Sequence, residues 1–150
     1  MEKICTFCGH SKIYNNSDAI KEQLIGAVWH LIEVEHFNYF LVGNYGAFDR
    51  IAAIACLEAK RLHPDIAVNL VLPYYRPHID EYDKAWYQRF DSVITPEFEK
   101  TPYQYRIIKA NQYMVDSADV VIAYVTSQIG GTAKTLDYAR RKKKRIILLG

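Results

Sequence analysis

Short apolar runs recur along this chain, and longer helix-patterned stretches separate them. The runs are "KICTFC" (3–8), "NYFLVG" (38–43), "IAVNLVLP" (66–73), "DVVIAYV" (119–125) and "RIILLG" (145–150). None shows the strict polar–apolar alternation of a strand with one wet face. Near-continuous apolar runs are what a parallel sheet buried on both faces demands.

The stretches between the runs read as helices. Ile20, Leu24, Ala27, Val28 and Leu31 share one face of a first helix, with N-cap candidates in "NNSD" (15–18). A second helix runs from about Phe48 to Leu62 and stops at His63-Pro64, because a residue before proline disfavours the helical region. A third covers about Tyr103 to Ser117, and a fourth about Gly131 to Lys142. The 74–102 stretch, rich in Tyr, Asp and Pro, reads as long and irregular. Strands alternating with helices, joined by right-handed crossovers, predict one α/β domain over 1–150. It is a Rossmann-like, doubly wound parallel sheet of about five strands with helices on both faces.

The bulk numbers narrow the function. At 150 residues the chain can bury a substantial core. A net charge of +2 makes no case for nucleic acid. No apolar run is long enough to span a membrane, and "MEKICTFCGH" lacks the apolar stretch of a signal peptide. The odd count of 3 cysteines fits a reducing cytoplasm better than a disulfide framework. Cys5 and Cys8 spell C-x-x-C, but residues three apart in a strand face opposite sides, so the thiols diverge. No metal site and no cofactor is expected.

Ligands of such sheets bind outside the carboxyl ends of the strands, where the strand order reverses. The exits here are "CGHSK" (8–12), "GNYGAFD" (43–49), "PYYRPH" (73–78) and "TSQIGGT" (126–132). Gly130 and Gly131 would let a phosphate approach the start of the fourth helix, and Thr132 would add a hydroxyl; the alternative is a tight turn with Thr132 as N-cap. Gly43 and Gly46 bracket a second strand-to-helix turn. Asp49 lies just inside that helix, where it either serves the dipole or accepts from a ribose hydroxyl. His10 follows Gly9 at the centre of the expected crevice.

The aromatics of 74–102, Tyr74 among them, either stack on a base or form a satellite cluster under the loop. "RRKKKR" (140–145) reads first as a solvated helix end, where cations are favoured, and second as an oligomer or nucleic-acid contact.

The segments "CTFCGH", "GNYGAFD", "NQYMVDSADVVIAYV" and "GGTAKTLDYA" together resemble the SLOG superfamily, and within it the YpsA/YoqJ-type branch. The superfamily takes its name from the DNA-processing protein DprA/Smf and the LOG phosphoribohydrolases. The resemblance spans nearly the whole chain. It implies a Rossmann-like domain that binds nucleotides or molecules derived from them, commonly as a dimer or larger assembly. LOG enzymes cleave a nucleoside monophosphate at its N-glycosidic bond, and Asp137 falls where they carry a catalytic glutamate. Asp137 also reads as a plain surface carboxylate. Two cations of the family pattern are missing: Ala110 stands at the arginine position, with Lys109 and Asn111 beside it, and Ser11 follows the glycine–histidine pair.

The reading that results is a sensor or sequestering protein for a phosphate- and ribose-containing small molecule, an ADP-ribose-type or cyclic nucleotide signal among the options. Gly9, His10, Gly43, Asn44, Gly46, Phe48, Asp49, Tyr74, Asn111, Gly130, Gly131 and Thr132 would form its site. The alternative is a nucleotide N-glycosidase, whose oxocarbenium-like transition state needs a nearby carboxylate; Asp137 and Asp49 would supply it. A further alternative is DNA binding of the DNA-processing type. A homo-oligomer is expected, and no membrane partner.

Overall fold

The computed structural model describes residues 1–96 and 100–150. Six parallel strands form one sheet in the order β4-β3-β2-β1-β5-β6. They are β1 (Ile4–Gly9), β2 (Tyr39–Val42), β3 (Ala67–Val71), β4 (Ser92–Ile94), β5 (Val120–Tyr124) and β6 (Arg145–Leu148). The helices are α1 (Ser17–Glu33), α2 (Ala47–Leu62), α3 (Glu81–Tyr87), α4 (Arg106–Ser117) and α5 (Gly131–Arg141). Among the described residues, no helix is long and apolar enough to cross a membrane.

The sheet has six strands where the sequence reading has about five. The sixth, β4, lies inside the stretch read as irregular, as does α3. At three residues, with Ser92 and Val93 exposed, β4 is too short and too wet to produce an apolar run. It is an edge strand, held by parallel pairing to β3 at Asn69, Leu70 and Val71. The remainder of 74–102 includes 97–99, which lie outside the described residues.

The chain winds from β1 outward to β4, then crosses to β5 beside β1 and continues to β6. Right-handed crossovers in opposite directions put helices on opposite faces. Cys5, Phe7, Phe40, Val68, Leu70 and Ile122 therefore pack in one core with Leu24, Val28, Phe48 and Ala52 of α1 and α2. Cys8, Val121 and Ala123 face Val115, Leu136 and Ala139 of α4 and α5 on the other side. The pleat alone produces this split, since successive residues point to opposite faces. It also separates the thiols of Cys5 and Cys8 into different cores, as the strand geometry predicts. All three cysteines are free and buried.

The strand order reverses between β1 and β5, whose registers pair Cys8 with Ala123 and Gly9 with Tyr124. A crevice opens at that point.

Candidate functional site

A cavity of about 330 Å³ sits at the carboxyl end of β1, between the starts of α2 and α5 and one face of α4. Cys8, Gly9 and Ser11 line it from the β1 exit, and Tyr45 and Asp49 from the turn into α2. Ile107 and Asn111, four apart and so on one helix face, line it from α4. Gly131, Thr132 and Thr135 close it from α5. Five residues singled out in the sequence are thus brought together: Gly9, Asp49, Asn111, Gly131 and Thr132.

The start of α5 is open. Its N-cap is Gly130, at φ 102°, and among the described residues no side chain caps the helix. A left-handed backbone of that kind favours glycine. The first intrahelical bond is Lys134 N–H to Gly130 O at 3.1 Å. The N–H groups of Gly131, Thr132 and Ala133 have no acceptor among the described residues. A Cβ at Gly131 would meet nothing within 4 Å. Thr132 is not the N-cap, and its hydroxyl is engaged: it donates to Gly9 O at 3.3 Å, tying α5 to the end of β1. The Cys8 thiol donates to Thr132 O at 3.5 Å from the other side.

The start of α2 is closed. Ala47 N–H donates to Ser11 O at 2.8 Å and Phe48 N–H to His10 O at 3.3 Å. Tyr45 N–H donates to the Asp49 carboxylate at 2.9 Å, and Gly46 N–H bonds the same carboxylate. Asp49, third residue of the helix, so reaches back to the N-cap Gly46 as in a capping box. Burial raises its pKa, and the two backbone N–H donors oppose that shift. The same carboxylate is the charged group of the cavity lining. It helps to push the Cys8 thiol up to about 12, after burial itself, so Cys8 is a neutral wall rather than a nucleophile.

Several expected site residues lie outside the lining, for identifiable reasons. Phe48 is fully buried, stacked near Tyr124 at 6.2 Å, and belongs to the core. Gly43 and Gly46 are small because other protein atoms need their space. A Cβ on Gly43 would lie 2.8 Å from Asp49 Oδ2, and one on Gly46 would lie 2.4 Å from Ser11 Cα. Asn44 accepts from the Trp86 indole at 3.1 Å and anchors α3. Tyr74 packs on Tyr103 at 4.9 Å. Trp86 and Phe90, from the same aromatic stretch, join the main core with Phe48 and Leu70.

His10 Nε2 accepts from Thr126 N–H at 2.8 Å, which places its ring proton on Nδ1 and pins the loop leading to α5. Asp137 is 68% exposed, with Arg140 at 4.0 Å, and lines a neighbouring groove rather than the Asp49 cavity. The carboxylates expected to act on one bond therefore do not share a cavity. Ser11, Tyr45, Ile107 and Thr135 line the cavity without having been singled out as ligand residues. For Ile107 the i, i+4 spacing to Asn111 is the signal that finds it.

No family model matches the chain. It is similar to the uncharacterised SPbeta prophage-derived protein YoqJ of Bacillus subtilis (strain 168), at 25% identity over 81% of each chain. Its fold matches DNA processing protein A from Helicobacter pylori, described for its single-stranded DNA binding mode, at a TM-score of 0.71 and 15% identity. It also matches DNA processing protein A from Streptococcus pneumoniae, at 0.67 and 12% identity. In each case 99% of this chain is covered, but only 65% and 50% of those longer chains. The chain shares the fold of these DNA processing proteins. The Moco carrier protein of Chlamydomonas rheinhardtii shares it, at 0.59 and 18% identity, over 100% of this chain and 77% of that one.

Ala110 is buried against Leu41, Val71 and Met114 under the sheet, and Lys109 is exposed on the outside of α4. Neither lines the cavity; Asn111 does.

Proposed function

We propose that the cavity binds a nucleotide-derived small molecule carrying phosphate and ribose, and that the protein is a sensor or sequestering protein for it. The observation that carries this reading is the open start of α5. Unpaired N–H groups and the positive end of a helix dipole form an anion site, and here two of the residues that carry them, Gly131 and Thr132, line the cavity. Asp49 sits in the same lining and accepts hydrogen bonds, as a ribose hydroxyl requires. Asn111 adds a group that both donates and accepts. The separation of Asp49 from Asp137 favours holding a ligand over cleaving one. A carrier of a small molecule on the same fold, the Moco carrier protein, is consistent with that role.

The test is retention of ligand. The protein is mixed with nucleoside monophosphates, ADP-ribose and cyclic dinucleotides, freed of unbound material, denatured and analysed by mass spectrometry. An intact retained ligand is expected. Gly131→Glu should abolish retention without unfolding the protein, because the new side chain has open space and carries negative charge into the anion site. Retention that survives Gly131→Glu would refute the α5 site. Release of free base and a ribosyl phosphate would make the protein an enzyme.

A further inference from the structure

A groove of about 670 Å³ between α4 and α5 adjoins the cavity and is walled in part by the same residues, Ile107, Asn111, Gly131 and Thr135. The two spaces differ in chemistry. Among the described residues, the cavity lining holds the Asp49 carboxylate and no cationic side chain. The groove, again among the described residues, holds Lys134, Arg140 and Arg141 against one carboxylate, Asp137, which lies 4.0 Å from Arg140. Its apolar wall is Ile107, Ile108 and the Tyr138 ring. Ile108 is 43% exposed on α4. Tyr138 is held in place by its hydroxyl, which donates to Asp116 at 2.7 Å. The start of α5, through Gly131, stands at the boundary of both spaces.

We propose that the ligand passes from the cavity over the start of α5 into this groove, so that the site takes a dinucleoside pyrophosphate rather than a mononucleotide. This rests on the reading above that the cavity holds a nucleotide. One nucleoside occupies the acidic cavity, where a second phosphate would be repelled. The pyrophosphate lies at the α5 start, within the field of Lys134. The second nucleoside lies in the groove, where the isoleucines and Tyr138 offer a flat group an apolar bed that a bare polyphosphate could not use. Charge alone would be satisfied by any polyanion; the apolar wall selects one that ends in a ring.

Titration calorimetry decides it, with AMP and GMP, ADP and GDP, diadenosine and diguanosine diphosphate, and oligodeoxyadenylates of increasing length. The expected result is that one dinucleoside diphosphate binds roughly tenfold or more tightly than its mononucleotide, the gain typical of added charge-assisted and apolar contacts. Lys134→Glu, a surface change, should weaken both forms but the dinucleoside diphosphate more, and so shrink that advantage. Equal affinities for the two forms would overturn the extension into the groove and leave the cavity reading standing. An equal gain with ADP or GDP would overturn the second nucleoside. Affinity that climbs with oligonucleotide length would replace the small molecule by a nucleic-acid strand. No binding of any probe to the wild-type protein would sink this proposal and the nucleotide reading together.

Discussion

The starts of α2 and α5 border the same cavity, follow strands of the same sheet and are both announced by paired glycines. At α2 the N–H groups of Tyr45, Gly46, Ala47 and Phe48 are taken up by the Asp49 carboxylate and by the Ser11 and His10 carbonyls. The glycines there make room for protein: Gly46 for the Ser11 backbone and Gly43 for the Asp49 side chain. At α5 no side chain among the described residues caps the helix, and a Cβ at Gly130 or Gly131 would meet open space. A glycine that clears space for its own chain and one that clears space for something else look alike in print. What separates them is whether the backbone donors beside them are already spent.

That difference is most directly broken by adding one carbon on each side. Gly46→Ala places a Cβ 2.4 Å from Ser11 Cα, where backbone cannot yield cheaply. Gly9→Ala places one 2.1 Å from Phe48 Cγ, in a fully buried ring. Each should cost about 3 kcal/mol or more, beyond the usual range for an overpacked core. Gly131→Ala should leave stability within about 0.5 kcal/mol, as unstrained surface changes do, while weakening ligand retention. Denaturant midpoints of the three variants test this. Comparable losses at Gly46 and Gly131 would mean that the two turns do the same job.

The sheet was legible because burial on both faces leaves an apolar run that composition cannot hide. The β4 edge strand was not, since exposed Ser92 and Val93 obey no such rule. Of the residues that line the cavity, Gly9, Asp49, Gly131 and Thr132 were expected from their positions at strand exits, and Asn111 from its place beside the position where the resemblance puts an arginine. Phe48 was misplaced because a helix-start aromatic has no mark saying which way it turns, and the space left by Gly9 draws it into the core. Ser11 and Tyr45 carry no periodic signal at all; only the closure of one turn on another brings them to the cavity.

Asp49 holds the closed turn, and its removal should open it. Asp49→Ala leaves the N–H groups of Tyr45 and Gly46 without their acceptor and should cost about 1–3 kcal/mol. Asp49→Asn keeps one acceptor oxygen and should cost less. The pH dependence gives a sharper reading. Because burial raises the folded pKa above the ordinary 3.8, the folded protein takes up this proton before the unfolded chain does. Its contribution to stability is therefore full below 3.8 and is lost as pH rises through the folded value. Asp49→Asn should flatten that part of the stability profile. A variant that tracks the wild type across acid pH would mean that the carboxylate is not desolvated by the turn.

A smaller loss of stability than at Asp49 is expected where the open helix is tied down. Thr132 donates to Gly9 O at 3.3 Å, and this is a hydroxyl-to-backbone link between α5 and the end of β1. Thr132→Val keeps the shape and removes the donor, so stability should fall by about 0.5–1.5 kcal/mol. Ligand retention should weaken with it if the tether also aims the α5 N–H groups. Thr132→Ser restores the donor and should recover both. Were the hydroxyl instead a direct ligand donor, Thr132→Val would weaken retention with stability unchanged. Amide exchange at Lys134, whose N–H closes the first turn of α5 on Gly130 O, faster in the valine variant without ligand, marks the tether as what was lost.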